Sequence, residues 1–397
     1  MGRKKKQEPK SADALQIELA KRSREEFGYD TVPEVDDFLK IEGVELVGNL
    51  PLQWLLCVDV FPVHAISAIV GPTSSYKSAL TYYLFGLVMR NPGLAHLIES
   101  ENKRNGEQLI GLTSPELVRT RFLPAVTSKI EKALRLIRSY ATLYKELVPD
   151  MNVPCVLAID SLGAMTSEAD IQRIMSPSSK DMKDGNDVGT AGYGFMHRAA
   201  SLQETLKGMN EEIFAKLPFA LIIVNHQKPP RETTQGSFRS VKPTRTTEQG
   251  GEHKEFQFAY KLELTASKGK ETKTGGVVRT VYMGIQKNAL GPTHRTKLEV
   301  PYLVLDATEK HPVHCFDWDT ALVQLLFGSE AFPKADVKGV LPAVKSNEGW
   351  KCDRLGSERF STRDFGKAIH NDPLLVKELQ DMMGIRRKPK VGADNSA

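Results

Sequence analysis

The chain is poor in cysteine. Its four thiols, Cys57, Cys155, Cys315 and Cys352, stand too far apart for a metal knuckle. So few, so spaced, they argue against a disulfide-scaffolded fold and suit a reducing compartment. Cys155 sits in an apolar run and reads as a buried core thiol. No apolar run reaches the roughly 18 residues of a membrane helix, so no membrane partner is expected. The basic start Gly2-Arg3-Lys4-Lys5-Lys6 is not followed by an apolar segment, so no secretory signal is expected, and Lys6 stands where a myristoylation signal needs Ser or Thr. The expected compartment is the cytoplasm. A large excess of one charge sign is also lacking: the net +5 permits a polyanionic partner without requiring one. The chain lacks internal repeats and long low-complexity segments.

What is present is an alternation. Residues 11 to 27 read as a helix, too short to form a core alone. Ile66 to Val70, Leu94 to Ile98, Val156 to Ile159 and Phe219 to Val224 are near-continuous apolar runs. Helical stretches separate them: Lys77 to Met89, Ile130 to Leu147 and Ala199 to Lys216. The stripe expected on the second is Ile130, Leu134, Ile137, Leu143 and Leu147. Buried apolar strands alternating with helices predict an α/β fold, a mainly parallel sheet with helices on both faces. From Phe256 to Leu264 the period becomes two, that of a half-exposed strand. Val277 to Ile285 and Leu298 to Leu305 continue it, which predicts an antiparallel extension. Beyond about residue 310 the pattern is of short helices, clearest at Thr320 to Phe327 and Pro373 to Met383, and then a basic tail, Arg386 to Lys390. The expected division is 1–39 as an N-terminal helix and linker that packs on a subunit, 40–309 as the core, and 310–397 as a small, mostly helical C-terminal domain.

The chemistry-bearing segment is Gly71-Pro72-Thr73-Ser74-Ser75-Tyr76-Lys77-Ser78, leading into Ala79. It fits the phosphate-loop pattern G-x-x-x-x-G-K-[ST] at all defined positions but one, with Tyr76 in place of the second glycine. It lies between a strand and a helix, where backbone N–H groups and the helix N-terminus favour phosphate. Lys77 would reach the β and γ phosphates of ATP, and the Ser78 hydroxyl would ligate Mg²⁺. A side chain at position 76 restricts a backbone that glycine leaves free. Val156-Leu157-Ala158-Ile159-Asp160 is apolar and ends in an acid, which places Asp160 as the second Mg²⁺ holder. The second strand ends in Glu99-Ser100-Glu101. Either carboxylate can serve as the base for an attacking water.

This set resembles the RecA family of recombinases, and within it the bacteriophage UvsX-type branch. The resemblance rests on the aromatic Tyr76, on Asp160-Ser161-Leu162-Gly163-Ala164, on the acid pair and on Asn225-His226 after the fourth strand, and it covers roughly residues 40 to 305. It implies a RecA-like P-loop ATPase core, with Glu101 as the catalytic glutamate and His226 as the γ-phosphate sensor. It also implies a DNA-dependent ATPase that forms filaments on single-stranded DNA and pairs it with double-stranded DNA in recombination and repair. A single-strand-binding protein and a loader are implied as partners, and the bacterial host cytoplasm as the location if the chain is viral.

The family's two DNA-binding loops fall at Ser176 to Gly194, with Lys180, Lys183 and Gly185, and at Lys228 to Lys254, with Lys228, Arg231, Phe238, Arg239, Lys242 and Arg245. Glycines allow backbone approach to phosphates, basic side chains neutralise them, and Phe238 is placed to wedge between bases. By the same register Phe256 would touch the adjacent subunit, and Lys287 would reach across the interface. The basic tail departs from the family's acidic one. Two other readings share these motifs: a ring helicase, for which Arg279 or Arg295 would supply the arginine finger, and a non-catalytic ATP-sensing mediator, for which Tyr76 is the hint.

Overall fold

Seven uncharged residues, Ala65–Gly71, form strand β1, and every one is buried. The computed structural model describes residues 21–23, 25–26, 41–101, 109, 112–148, 152–168, 204–228, 247–248, 258–271, 276–292, 297–304, 314–356 and 358–386. The chain divides into two units, Met1–Ile41 with Lys388–Ala397, and Glu42–Arg387. In the first, residues 21–23 and 25–26 are helical, and Lys21 lies 4.0 Å from Glu25 one turn on. The rest of the helix expected over 11 to 27 lies outside the described residues.

The second unit is built on one sheet. Beside β1 it contains Leu94–Glu99 (β2), Phe122–Val126 (β3), Cys155–Asp160 (β4), Phe219–Lys228 (β5) and Phe258–Ala266 (β6). These run parallel in the order β6-β1-β5-β4-β2-β3. Val277–Asn288 (β7), Leu298–Val304 (β8) and His314–Phe316 (β9) extend the β6 side antiparallel, and two short pairings bring the sheet to 11 strands. The architecture is α/β with a large, mostly parallel sheet, as the alternation predicts.

Leu50–Leu56 (α1), Lys77–Arg90 (α2) and Ile130–Leu147 (α3) are the main helices up to β4. Because side chains alternate along a strand, Ile66, Ala68 and Val70 of β1 and Leu157 and Ile159 of β4 share one face. That face packs against Leu134 and Ile137 of α3 and against Ile213 and Phe214. Each fully buried aliphatic side chain there contributes about 1.5–3 kcal/mol. Helix α2 packs near β1, β2, β4 and β5.

The stripe of α3 differs from expectation. Its buried residues are Ala133, Leu134, Ile137, Ala141 and Tyr144, while Leu143 and Leu147 are 50% and 76% exposed. At about 100° per residue, Leu143 falls opposite Leu134, so the smaller Ala141 takes the core position. Strand β6 keeps the expected period of two, with Phe258, Tyr260, Leu262 and Leu264 buried and Ala259 and Glu263 half-buried; Lys261 departs from it and is buried. Strand β3 has no counterpart in the sequence reading. Pro124 and its half-exposed residues weaken the apolar pattern, and its place at the sheet edge is where a proline is tolerated.

Past residue 314 come Trp318–Val323 (α4), Thr362–His370 (α5) and Pro373–Met382 (α6), all in the same unit as the sheet. Asp317, Ser361 and Asp372 cap their N-termini. Between α4 and α5 stands a three-stranded antiparallel sheet, Ala343–Ser346, Gly349–Cys352 and Arg359–Phe360, which the reading of short helices does not anticipate. After α6 the chain returns to α1. Arg386 N–H donates to the Cys57 carbonyl at 3.0 Å, and Gln380 donates to Gln53 at 2.9 Å.

One half-buried histidine is expected to make the fold sensitive to acid. His96 of β2 stacks on Tyr140 of α3 at 4.1 Å, and its Nδ1 has no hydrogen-bond partner among the described residues. Burial lowers its pKa from 6.5 to about 4. The unfolded chain therefore binds a proton that the folded chain refuses. Its contribution to stability is expected to be full above pH 6.5 and to fall as the pH drops toward 4, by up to about 3 kcal/mol. Chemical denaturation across this range is expected to show the slope, and His96→Phe, which keeps a ring on Tyr140, is expected to flatten it.

Candidate active site

The ends of β1, β2, β4 and β5 lie side by side at one edge of the sheet. Gly71 is level with His226, and Glu99 with Asp160. The segment after Gly71 makes a tight loop onto the start of α2. A Cβ on Gly71 would lie 2.1 Å from the Leu264 carbonyl oxygen of β6, so a larger residue there would force the strands apart. Ser74 and Tyr76 both adopt positive φ, 61° and 66°. Tyr76 stands at the N-cap of α2 without capping it through its side chain. The first N–H groups of α2 thus face the loop, as an anion requires.

Lys77 is buried at 5% exposure. Its Nζ donates to the carbonyls of Gly71 at 3.1 Å and Pro72 at 2.7 Å, and to Ser75 Oγ at 3.4 Å. Ser75 Oγ in turn donates to the Pro72 carbonyl at 2.9 Å. The ammonium is thereby held inside the loop. Next to it, Ser78 Oγ donates to the Asp160 carboxylate in a short contact. Tyr82, one turn further along α2, has its phenol pushed up to about 12, by burial first and then by the charges of Asp160 and Glu99.

The two acids of β2 have different surroundings. Glu99 is 7% exposed, and its Oε1 accepts from the Glu101 backbone N–H at 3.0 Å. It braces the turn. Glu101 faces outward to a polar cluster: its Oε1 accepts from Ser161 Oγ at 3.1 Å and lies 3.5 Å from His226 Nε2. Ser161 is fully buried, and its N–H donates to Ser100 Oγ at 2.9 Å, which joins the ends of β2 and β4. His226 Nδ1 is buried without a hydrogen-bond partner among the described residues, and the His226 N–H donates to Asn225 Oδ1. Ser161 and Tyr82 belong to this arrangement, although the sequence reading gives neither a role. Ser161 lies inside the motif run after Asp160, which is the signal that would have found it.

Of the other residues singled out from the sequence, Lys228 ends β5 and pairs with Thr247. Lys180, Lys183, Gly185, Arg231, Phe238, Arg239, Lys242, Arg245 and Phe256 lie outside the described residues. Lys287 pairs with Lys261, past a bulge in β7 and lower on the sheet than Met283, which pairs with Leu264 beside Gly71. No group of three or more His, Cys, Asp or Glu side chains among the described residues is arranged to hold a metal ion. A site for Mg²⁺ built from one hydroxyl, one carboxylate and substrate phosphates has that composition.

No family model matches the chain. Over 400 residues it is 22% identical to Protein RecA of Delftia acidovorans (strain DSM 14801 / SPH-1), a match that covers 96% of this chain and 91% of that protein. A likeness that spans nearly the whole of both chains supports a relationship to the RecA family.

Proposed function

We propose that the chain is an ATP-dependent DNA strand-exchange recombinase of the UvsX-type branch, a DNA-dependent ATPase that forms helical filaments on single-stranded DNA in recombination and repair. The observation that carries this reading is the pair of contacts at the sheet edge, Ser78 with Asp160 and Glu101 with His226, beside a loop that buries Lys77. The residues fit ATP with Mg²⁺. A hydroxyl and a carboxylate already meet where the cation would be held, and the buried His226 Nδ1, without a partner among the described residues, can donate to a phosphate oxygen. Mg²⁺ would neutralise charge that develops on the phosphates.

The chain's own residues divide the work. The backbone of Gly71 to Ala79 cradles the phosphates, and Lys77 offsets the charge of the transferred group. Ser78 and Asp160 hold the cation. Glu101 orients the attacking water and takes its proton. His226 touches Glu101 and lies two residues before the end of β5, so a change at the γ phosphate passes directly into the segment that begins at Lys228. That segment, with Arg231, Phe238, Arg239, Lys242 and Arg245, binds DNA together with Lys180, Lys183 and Gly185. Phe256 and Lys287 serve the interface between subunits. Residues 40–309 act as the ATPase core, 1–39 as the subunit-packing arm, and 310–397 as an appended segment. The setting is the cytoplasm, that of a bacterial host for a viral chain.

Measuring ATP hydrolysis with and without single-stranded DNA tests the reading. Stimulation by DNA of at least about tenfold is expected, with extended filaments by electron microscopy when an ATP analogue is present. Closed rings would assign the chain to the motors instead, and hydrolysis below detection with DNA present would make it an ATP sensor.

A further inference from the structure

Tyr76 occupies a left-handed backbone conformation, φ 66° and ψ 26°, at the position where the loop pattern has glycine. For a residue with a Cβ this conformation is unfavourable. Something must offset that cost, and the ring of Tyr76 indicates what does. It stacks on Tyr302 of β8, with centroids 4.1 Å apart and planes at 37°. The guanidinium carbon of Arg279, on β7, lies 5.9 Å from the same ring. Arg279 and Tyr302 are paired in the β7–β8 ladder, so the two supports are held by one piece of sheet. A ring stack and a cation over a ring are both favourable contacts, and together they offset the backbone cost.

The stack does not end at Tyr302. That ring is fully buried and meets Phe316 of β9 at 4.9 Å. Phe316 meets Trp318, the first residue of α4, at 5.3 Å, and Trp318 meets Tyr83 at 5.2 Å. Tyr83 lies on α2, about two turns beyond Tyr76 and on the same face. Its hydroxyl accepts from Asn49 Nδ2 at 2.7 Å. The rings therefore start at the N-cap of α2, run through the antiparallel extension, and return to α2. They form a splint along the helix whose N-terminus faces the phosphates.

We propose that Tyr302, supported by Arg279, is a positioning residue of the phosphate loop, and that it acts through the Tyr76 ring to hold the loop open for nucleotide where glycine is missing. The proposal rests on the nucleotide-binding reading of the loop. It makes the antiparallel extension part of the nucleotide site, and it gives any partner that shifts β8 or β9 a direct route to ATP affinity.

The test is a double-mutant cycle read by ATP binding in the presence of Mg²⁺. Tyr302→Leu is expected to weaken ATP binding about five- to tenfold, the loss of roughly 1 kcal/mol of loop support. Tyr302→Phe keeps the ring and is expected to restore binding to within about twofold. In a Tyr76→Gly background, where the backbone needs no support, Tyr302→Leu is expected to change affinity by less than about twofold. An equal loss in both backgrounds overturns the proposal, because Tyr302 would then act on the fold as a whole. If the natural chain binds no ATP, the nucleotide reading fails on its own, and amide hydrogen exchange decides the positioning role without nucleotide. Tyr302→Leu is expected to speed exchange at residues 75–79 by about tenfold or more in the Tyr76 chain and not in the Tyr76→Gly chain. The same acceleration in both, or in neither, rejects it.

Discussion

Glu101→Gln is expected to lower ATP turnover by about 10²- to 10⁴-fold while nucleotide binding persists. The loss is that of a general base, and the geometry selects Glu101 over its neighbour. Glu99 is nearly buried and spends one oxygen on the Glu101 N–H, so its carboxylate holds the turn. Glu101 instead lies beside Ser161 and His226 at the level of the phosphate loop. Glutamine keeps an acceptor for Ser161 and removes the negative charge together with the capacity to take a proton, so the fold should change little. Glu99→Gln keeps its acceptor too and is expected to reduce turnover by less than about tenfold. Steady-state hydrolysis of both variants, with single-stranded DNA present, decides the matter. A larger loss in Glu99→Gln would reverse the assignment. Because Glu101→Gln would stall with ATP in place, its complexes with DNA should also dissociate more slowly than those of the natural chain.

The difference between Glu99 and Glu101 marks where the sequence stops being readable. The acid pair is visible because parallel strands buried on both faces are apolar almost throughout and end abruptly in polar residues. The same contrast exposes Asp160 and His226, and it orders β1, β2, β4 and β5 along the chain. Which of two acids turns toward solvent depends on one hydrogen bond in the turn, and no pattern records that. Strand β3 is hidden for the opposite reason: Pro124 and an exposed edge give it no apolar run. On α3, leucines at 143 and 147 outweigh Ala141 by hydrophobicity, yet geometry puts the alanine inside. Tyr302 is the clearest case. Its contact with Tyr76 depends on the β7–β8 register, and nothing local to Val300-Pro301-Tyr302-Leu303 points to a loop so far away in sequence. The mismatch at position 76 was plain, and its partner was not.

Lys77→Ala is expected to abolish turnover, by about 10³-fold or more, and to prevent filament formation on single-stranded DNA. The ammonium is buried at 5% exposure with two loop carbonyls as acceptors, so it is already desolvated where the phosphates would arrive. A charge in such a place interacts more strongly with an anion than an exposed one does. Its removal also leaves the Gly71 carbonyl without that donor, and the Pro72 carbonyl with Ser75 Oγ in its place. The expected cost in stability is about 1 kcal/mol, small beside the catalytic loss. That contrast is the test. Chemical denaturation should find Lys77→Ala folded with a midpoint close to that of the natural chain, while hydrolysis disappears. Lys77→Arg should lose most of its turnover as well, because a planar fork does not fit a slot shaped by three oxygens around one ammonium. If Lys77→Ala still hydrolysed ATP and exchanged strands, the loop would not be the phosphate site. The contacts among Ser78, Asp160, Glu101 and His226 would then be structural, holding together the ends of α2, β2, β4 and β5.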